Sequence, residues 1–320
     1  MESIREHEIT RDPTAGTHDR HPADYFDLAG GTSTGGLVCI MLFRLRMSVQ
    51  EAILAYSELS CSIFRSSFVS RRLGGSVVKT VFGRPWYKGD ILENIVKQKV
   101  RAKGLPDNAT LFDPQSESCK TFVCTLRKHD NFAVRLRSYR LWDYSLPEYH
   151  FATIWQAARA TSAAPFYFPE ANIGRSKFWD GGLANNNPVD EVWVEKSLLF
   201  QRRAVKCVIS LGTGRCEKPR RSNSFLARHP ALSRGGQLLT NLTNVENVHR
   251  RFEDLMRAES IEYFRFDPST LQDDIGMSDY GQIETLQHYT NEYLGQPPTR
   301  ALVDICAQLL CYESTSGVAD

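Results

Sequence analysis

Ser33 lies at the centre of a Gly-x-Ser-x-Gly pattern that is completed by Gly31 and Gly35. An apolar run over residues 25–29 leads into the pattern, and a helix-compatible apolar run follows it. A strand that turns sharply into a helix leaves its corner serine at the top of a sheet, and glycines let neighbouring backbone pass close by. The pattern therefore predicts a serine nucleophile, with the backbone N–H of Thr34 at the helix N-terminus as a donor to an oxyanion.

Asp180 is the second candidate for chemistry. It follows the apolar pair Phe178 and Trp179 and precedes Gly181 and Gly182. Taken alone, an aspartate before two glycines indicates an ordinary turn. A serine hydroxyl, however, is a poor nucleophile until a base accepts its proton, and a carboxylate within hydrogen-bond reach can be that base.

Two other interpretations of these residues stay open. A glycine-rich corner can cradle a phosphate, but residues 30–36 lack the Gly-Lys-Ser/Thr ending of a P-loop, and no Gly-x-Gly-x-x-Gly is present. A Ser-Asp-His triad in hydrolase chain order needs a histidine after Asp180. The candidates are His229, His249 and His288, and none lies in a glycine-rich or strand-end context.

Four segments together resemble the patatin-like phospholipase family, in the family's order and spacing. Residues 24–36 are similar to its nucleophile segment, 157–165 to its helix and loop before the aspartate, 180–188 to its aspartate motif and 209–214 to the strand that follows. The likeness covers roughly residues 24–214 and is closest to the fungal branch of the family.

The resemblance implies a serine-dependent carboxylic ester hydrolase that cleaves acyl esters of lipids, like a phospholipase A or a lysophospholipase. By motif position, Ser33 would be the nucleophile and Asp180 the general base of a dyad without histidine, acting through an acyl-enzyme. The same motifs contain Gly31, Gly35, Gly181 and Gly182. Phospholipid or another acyl-ester lipid is the implied substrate, with no cofactor and no calcium.

Alternating helix-like and strand-like segments predict an α/β fold with a mostly parallel central sheet between helical layers. With the resemblance, this implies a three-layer α/β/α patatin-like fold. We expect a poorly ordered segment over residues 1–23, the core over 24–215, and a mobile loop with a mainly helical extension over 216–320. The capping box at Ser48 and Glu51 opens one predicted helix. Further helices are predicted over 90–103, 153–162, 237–260, 282–294 and 299–310, and strands over 121–126, 133–139, 205–211 and 261–266.

The residues before Asp24 depart from the family. Family members begin with a strand and a Gly-Gly-Gly-x-Arg-Gly loop whose N–H groups form the oxyanion hole. Residues 1–22 hold many charges and one glycine, Gly16, so the first strand, the loop and the first helix are expected to be missing. Losing one oxyanion donor typically costs ~2.7–4 kcal/mol, which predicts weak activity. A truncated reading frame and an impaired member that binds lipid or protein partners are both open.

Composition adds few constraints. The net charge of +2 over 320 residues gives no indication of nucleic-acid binding. The eight cysteines show no metal-ligand spacing, so we expect no metal, and free thiols in a reducing compartment. No signal peptide or membrane-spanning run is evident, which favours a cytoplasmic protein. Two basic stretches with aromatic residues, 65–88 and 202–228, are candidates for peripheral membrane contact.

Overall fold

The computed structural model describes residues 1–11, 20–72, 85–114, 119–141, 147–214, 233–268, 275 and 280–311, except for the side chains of residues 11, 65–72, 233–244 and 280. The strands are β1 (Leu28–Thr32), β2 (Lys120–Arg127), β3 (Phe132–Arg137), β4 (Ala171–Ile173), β5 (Ser176–Asp180), β6 (Cys207–Leu211) and β7 (Glu262–Phe266). The helices are α1 (Glu2–Arg11), α2 (Thr34–Cys39), α3 (Val49–Arg72), α4 (Gly89–Ala102), α5 (Ile154–Thr161), α6 (Val189–Phe200), α7 (Ser233–Ala258), α8 (Ile283–Gly295) and α9 (Pro297–Leu310).

Strand β2 is central to a five-stranded sheet, in which it pairs with β1, β3 and β5. Strand β3 runs antiparallel along one edge of β2. Along the other edge, β1 runs parallel to the first part of β2, and β5 runs antiparallel to its last part. Strand β4 forms a hairpin with β5, and β6 pairs with β7 in a separate two-stranded sheet.

The α/β class is confirmed, but the larger sheet is mixed, whereas the sequence predicts a mostly parallel one. Among its described pairings, only β1 with β2 is parallel. The reason is local, because the β2–β3 and β4–β5 connections are tight hairpins, which join antiparallel neighbours. Gly174, at a φ of +56°, makes the β4–β5 turn.

Helices cover β2 on both faces, which gives three layers. Successive side chains of a strand point to opposite faces, and the neighbours Phe122 and Val123 are both fully buried. Val123 belongs to the main apolar core, which α2, α3, α4 and α5 share. Phe122 lies on the other face, where it and Val192 of α6 both approach Gly30.

The N-terminal residues differ from the expected poorly ordered segment. Residues 2–11 form α1, which packs against α9 through Ile4 and the buried residues Ala307 and Cys311. The carboxylate of Glu8 accepts a hydrogen bond from the Tyr25 hydroxyl at 3.1 Å. Ile4 and Glu8, which lie one helical turn apart, thus hold this helix in place, although its sequence has no continuous apolar face. Residues 12–19, including Gly16, lie outside the described residues.

The predicted C-terminal elements are confirmed as α7, β7, α8 and α9, and β7 pairs with β6 in parallel. The strand predicted over residues 205–211 is confirmed as β6, which is only partly covered and leaves Leu211 exposed. Within the described chain, β7 is the only strand that pairs with β6. The predicted mobile loop falls largely on residues 215–232, which lie outside the described ranges.

Candidate active site

Ser33 occupies the corner between β1 and α2, as the sequence predicts. Its backbone, at φ 54° and ψ −122°, lies in a region that costs a non-glycine residue about 1–3 kcal/mol. The carbonyl oxygen of Ser33 accepts the first hydrogen bond of α2, from the N–H of Leu37 at 3.0 Å. The serine therefore stands directly at the positive end of the helix.

Gly31 and Gly181, two of the predicted motif glycines, allow close backbone contacts at the Ser33 corner and beside Asp180. A Cβ atom on Gly31 would lie 2.2 Å from the carbonyl oxygen of Gly35, so the chain turns back against itself here. A Cβ atom on Gly181 would lie 2.4 Å from the carbonyl oxygen of Cys124. Gly35 differs, because nothing lies within 4 Å of the position that its Cβ would take.

The register of β2 brings Asp180 to Ser33. Thr32, the last residue of β1, lies opposite Cys124, and Asp180, the last residue of β5, lies opposite the next residue, Thr125. The carboxyl ends of β1 and β5 therefore meet on one edge of β2. The Ser33 hydroxyl donates a hydrogen bond to Asp180 Oδ2 at 2.6 Å. This is the distance that a serine and its general base require, and it confirms the predicted geometry.

Asp180 is nearly inaccessible to solvent, with 2% of its surface exposed. Burial raises the pKa of Asp180 to about 6, because the charged carboxylate has lost its hydration. Two hydrogen bonds act in the opposite direction, one from the Ser33 hydroxyl and one from the N–H of Gly182, which lies 2.7 Å from Oδ1. A carboxylate with this pKa is mostly ionised at pH 7 yet more basic than an exposed aspartate.

Thr161, at the end of α5, holds the backbone of Ser33, and it was not among the site residues predicted from sequence. Its Oγ1 accepts a hydrogen bond from the N–H of Ser33 at 2.9 Å and donates one to the carbonyl oxygen of Cys124 at 2.7 Å. The side chain is fully buried, and a Cβ on Gly36 would lie 2.7 Å from its Oγ1. Thr161 therefore satisfies a partly buried donor that the strained corner leaves without a helical acceptor.

A second set of polar contacts connects the serine strand to the chain after Asp180. The Thr32 hydroxyl donates to the carbonyl oxygen of Asn185 at 2.7 Å, and Asn185 Nδ2 donates to Glu191 of α6 at 3.1 Å. Glu191 also forms an ion pair with Arg135 of β3 at 2.8 Å. The two halves of the site are thus joined by side chains as well as by β2.

A buried ionic cluster fixes α6 on the sheet behind these contacts. The fully buried carboxylate of Glu195 binds Arg137 at 2.6 Å and Arg135 at 3.0 Å. It also accepts a hydrogen bond from the Tyr139 hydroxyl. Each buried charge is paired, so the cluster satisfies the requirement that a buried carboxylate be compensated.

The N–H groups of Thr34, Gly35 and Gly36 precede the first hydrogen bond of α2 and so have no helical acceptor. The N–H of Thr34 follows Ser33 directly, in the place predicted for an oxyanion donor. The N–H of Ser33 itself is occupied by Thr161. In the described chain, the N–H of Thr34 is therefore the oxyanion donor that we assign beside the Ser33 hydroxyl.

The described histidines lie outside this arrangement. His249 Nδ1 lies 3.2 Å from the hydroxyl of Tyr263, and His288 packs beside Tyr289. His229 falls outside the described residues. No group of three or more His, Cys, Asp or Glu side chains in the described ranges has the arrangement of a metal site.

Comparison with known proteins identifies the family. The sequence profile described as patatin-like phospholipase matches residues 15–193, which is more than half of the chain. The chain belongs to the patatin-like phospholipase family. The matched range of this patatin-like chain includes both Ser33 and Asp180.

Two relatives show how far the likeness extends. The chain is 29% identical to calcium-independent phospholipase A2-gamma from Rattus norvegicus over 248 residues, which is 76% of this chain and 30% of the relative. It is 27% identical to patatin-like protein 2 from Arabidopsis thaliana over 92% of this chain and 79% of the relative. The chain thus spans about a third of the length of the phospholipase A2-gamma relative. The predicted closeness to fungal members stays a prediction.

The predicted membrane-contact stretches fall mostly on residues or side chains outside the described set, namely 65–84 and 215–228. Among the helices that the structure describes, none combines the length and the apolar character needed to cross a membrane.

Proposed function

We propose that this protein hydrolyses acyl esters of lipids, with Ser33 as nucleophile and Asp180 as general base. The observation that carries the proposal is the 2.6 Å hydrogen bond from the Ser33 hydroxyl to a buried carboxylate whose pKa is raised to about 6. Family membership and relatives that are named as phospholipases support a lipid ester as the substrate. A bound phosphate at this corner is disfavoured, because the Asp180 carboxylate would repel it.

In the first half of the proposed reaction, Ser33 Oγ attacks the ester carbonyl carbon while its proton passes to Asp180 Oδ2. The N–H of Thr34 and the N-terminus of α2 stabilise the oxyanion that forms. The intermediate then expels the alcohol, which takes the proton from Asp180, and leaves the acyl group on Ser33. In the second half, water attacks the carbonyl carbon of the acyl-enzyme while Asp180 accepts its proton, and this proton passes to Ser33 Oγ as the Ser33–acyl bond breaks and the fatty acid leaves.

We expect turnover by this chain to be weak. Within the described part of the chain, Thr34 supplies the oxyanion donor that we assign, and each further donor that is lacking typically costs ~2.7–4 kcal/mol, or ~100- to 1,000-fold in rate. Phospholipid is the proposed substrate class, and peripheral contact with a membrane in an intracellular compartment stays a prediction.

The test is fatty-acid release from phosphatidylcholine vesicles, followed for the parent protein and for Ser33→Ala and Asp180→Asn. We expect release by the parent and loss of at least about 10⁴-fold in each variant, because residues of one catalytic unit are each essential. Ser197→Ala and Asp107→Asn are matched controls, since both side chains lie on the surface away from the site. Equal release by the parent and Ser33→Ala would contradict the proposal, and binding without release would favour an impaired member.

A further inference from the structure

Arg159 presents a buried cation that the proposed hydrolysis does not use. It lies in α5, and only 6% of its surface is exposed. Its Nη2 donates a hydrogen bond to the carbonyl oxygen of Pro169 at 3.1 Å, and the guanidinium lies over the ring of Phe168. Nη1 is buried and has no hydrogen-bond partner, and no described carboxylate forms an ion pair with Arg159. A guanidinium is well suited to pair with a carboxylate or phosphate, and among the described residues Arg159 has no such partner.

The guanidinium faces the N-terminus of α4. A Cβ atom on Gly89, the first residue of α4, would lie 2.4 Å from Nη2 of Arg159, so the two groups are in direct contact. The N-cap residue, Lys88, makes no side-chain capping hydrogen bond. The N–H groups of Gly89, Asp90 and Ile91 precede the first hydrogen bond within the helix, and no described acceptor takes their place.

We propose that Arg159 and the N-terminus of α4 form a binding site for a phosphate group. The partial positive charge of the helix end and the guanidinium repel one another, and an anion bound beside both groups would offset this repulsion. A phosphate has several acceptor oxygens, which match the free Nη1 donor and the free backbone N–H groups. The exposed ammonium of Lys88 adds a further positive charge at the entrance. The phosphate can come from a lipid headgroup or from free phosphate in solution.

Two carboxylates lie on the same helix turn and oppose an anion. Burial lowers the pKa of Arg159, and the charges of Glu93 and Asp90 act in the opposite direction. Glu93 is paired with Lys97 at 2.6 Å, whereas Asp90 is exposed and forms no ion pair in the described chain. The site therefore predicts that removing the charge of Asp90 strengthens anion binding, which a purely structural role for Arg159 does not predict.

The experiment is a calorimetric titration of the full chain with inorganic phosphate against sodium chloride at equal ionic strength. We expect saturable phosphate binding by the parent protein, loss of at least tenfold in affinity for Arg159→Gln, and partial retention for Arg159→Lys. Asp90→Asn should bind phosphate roughly two- to fivefold more tightly, the range of one exposed charge pair. Asp107→Asn is the matched control beyond the other end of α4, where Asp107 pairs with Arg101, and it should bind like the parent.

No saturable binding by the parent, or equal binding by the parent and Arg159→Gln, would overturn the site. If Arg159→Gln does not fold, Gly89→Ala replaces it, since its methyl group displaces the guanidinium from the helix end, and equal binding by that variant has the same meaning. Co-sedimentation with phosphatidylcholine vesicles that contain phosphatidic acid or diacylglycerol distinguishes the sources. An Arg159-dependent preference for phosphatidic acid identifies a lipid headgroup, whereas phosphate binding without that preference identifies free phosphate. Inorganic phosphate is not an ester substrate, so this result is independent of hydrolysis at Ser33.

Discussion

Ser33 donates a hydrogen bond to Asp180 although 147 positions separate the two residues in the chain. The contact exists because their strands end at consecutive positions of β2, Thr32 opposite Cys124 and Asp180 opposite Thr125. The parallel strand β1 and the antiparallel strand β5 thus point their carboxyl ends at each other. With β5 beside the last part of β2, its antiparallel direction is what places Asp180 opposite Thr125, whereas a parallel direction would place it opposite Arg127, further from Ser33.

The rate of ester hydrolysis should rise with pH through a midpoint near 6. Asp180 accepts a proton only when it is ionised, and burial raises its pKa to about 6. The measurement is kcat/KM for a short-chain acyl ester between pH 4.5 and 8, which reports the free enzyme. His249→Gln should keep the same midpoint, because His249 bonds to Tyr263 and not to the site. A midpoint near 4, or one that moves in His249→Gln, would be inconsistent with Asp180 as the base.

Asp180→Asn should stabilise the fold at neutral pH while it removes activity. A buried aspartate whose pKa rises from 3.8 to about 6 favours the folded state fully below pH 3.8, and this contribution is lost as the pH rises through 6. At about 1.4 kcal/mol per pKa unit, the loss amounts to up to about 3 kcal/mol at pH 7.5. The asparagine retains an acceptor for the N–H of Gly182. Urea unfolding of both proteins at pH 5 and 7.5 checks this, and a stability difference that does not grow with pH would refute it.

Thr161→Val should lower kcat with little change in KM, whereas Thr161→Ser should keep kcat close to that of the parent. Valine keeps the shape of threonine but leaves the partly buried N–H of Ser33 without an acceptor, at a cost of up to about 1–3 kcal/mol. The corner then relaxes, and we expect kcat to fall about tenfold or more. Serine keeps the hydroxyl and only loses a methyl group. If valine and serine lower kcat equally, packing rather than the hydrogen bond explains the effect of Thr161.

Gly31→Ala should disrupt the corner, whereas Gly35→Ala should be tolerated. The new methyl group at position 31 would lie 2.2 Å from backbone, which cannot move without opening the turn, while position 35 faces open space. Thermal unfolding and reaction with an acyl ester distinguish the two variants. Equal loss in both would show that Gly35 has a role that its surroundings in this structure do not explain.

The serine corner and most helices can be predicted from sequence, because each depends on neighbours within a few positions. The capping box of α3 is an example, with Ser48 and Glu51 bonding reciprocally as predicted. The catalytic roles of Ser33 and Asp180 stay predictions from motif and family. Thr161 could not be found in this way, because a threonine at the end of a helix carries no local signal, and its partner Ser33 lies 128 positions away.

The mixed sheet could not be predicted from sequence patterns either. Strand β4 has three residues, Ala171–Ile173, and too few positions to show a period. Its hairpin with β5 reverses the chain just before Asp180, so a short element decides the direction from which the carboxylate arrives. Helix α1 shows the same limit, since its packing depends on contacts with α9 and Tyr25, which are distant from it in sequence.

The central claim, that Asp180 activates Ser33 for attack, is tested most directly by locating a covalent adduct. The parent protein is treated with an alkyl fluorophosphonate, digested and sequenced by tandem mass spectrometry, alongside Asp180→Asn and Asp107→Asn. The account predicts one phosphonylated residue, Ser33, in the parent and in Asp107→Asn, and a rate of labelling at least about 100-fold lower in Asp180→Asn. Labelling of a different serine, or labelling of Ser33 at the same rate in Asp180→Asn, would contradict it.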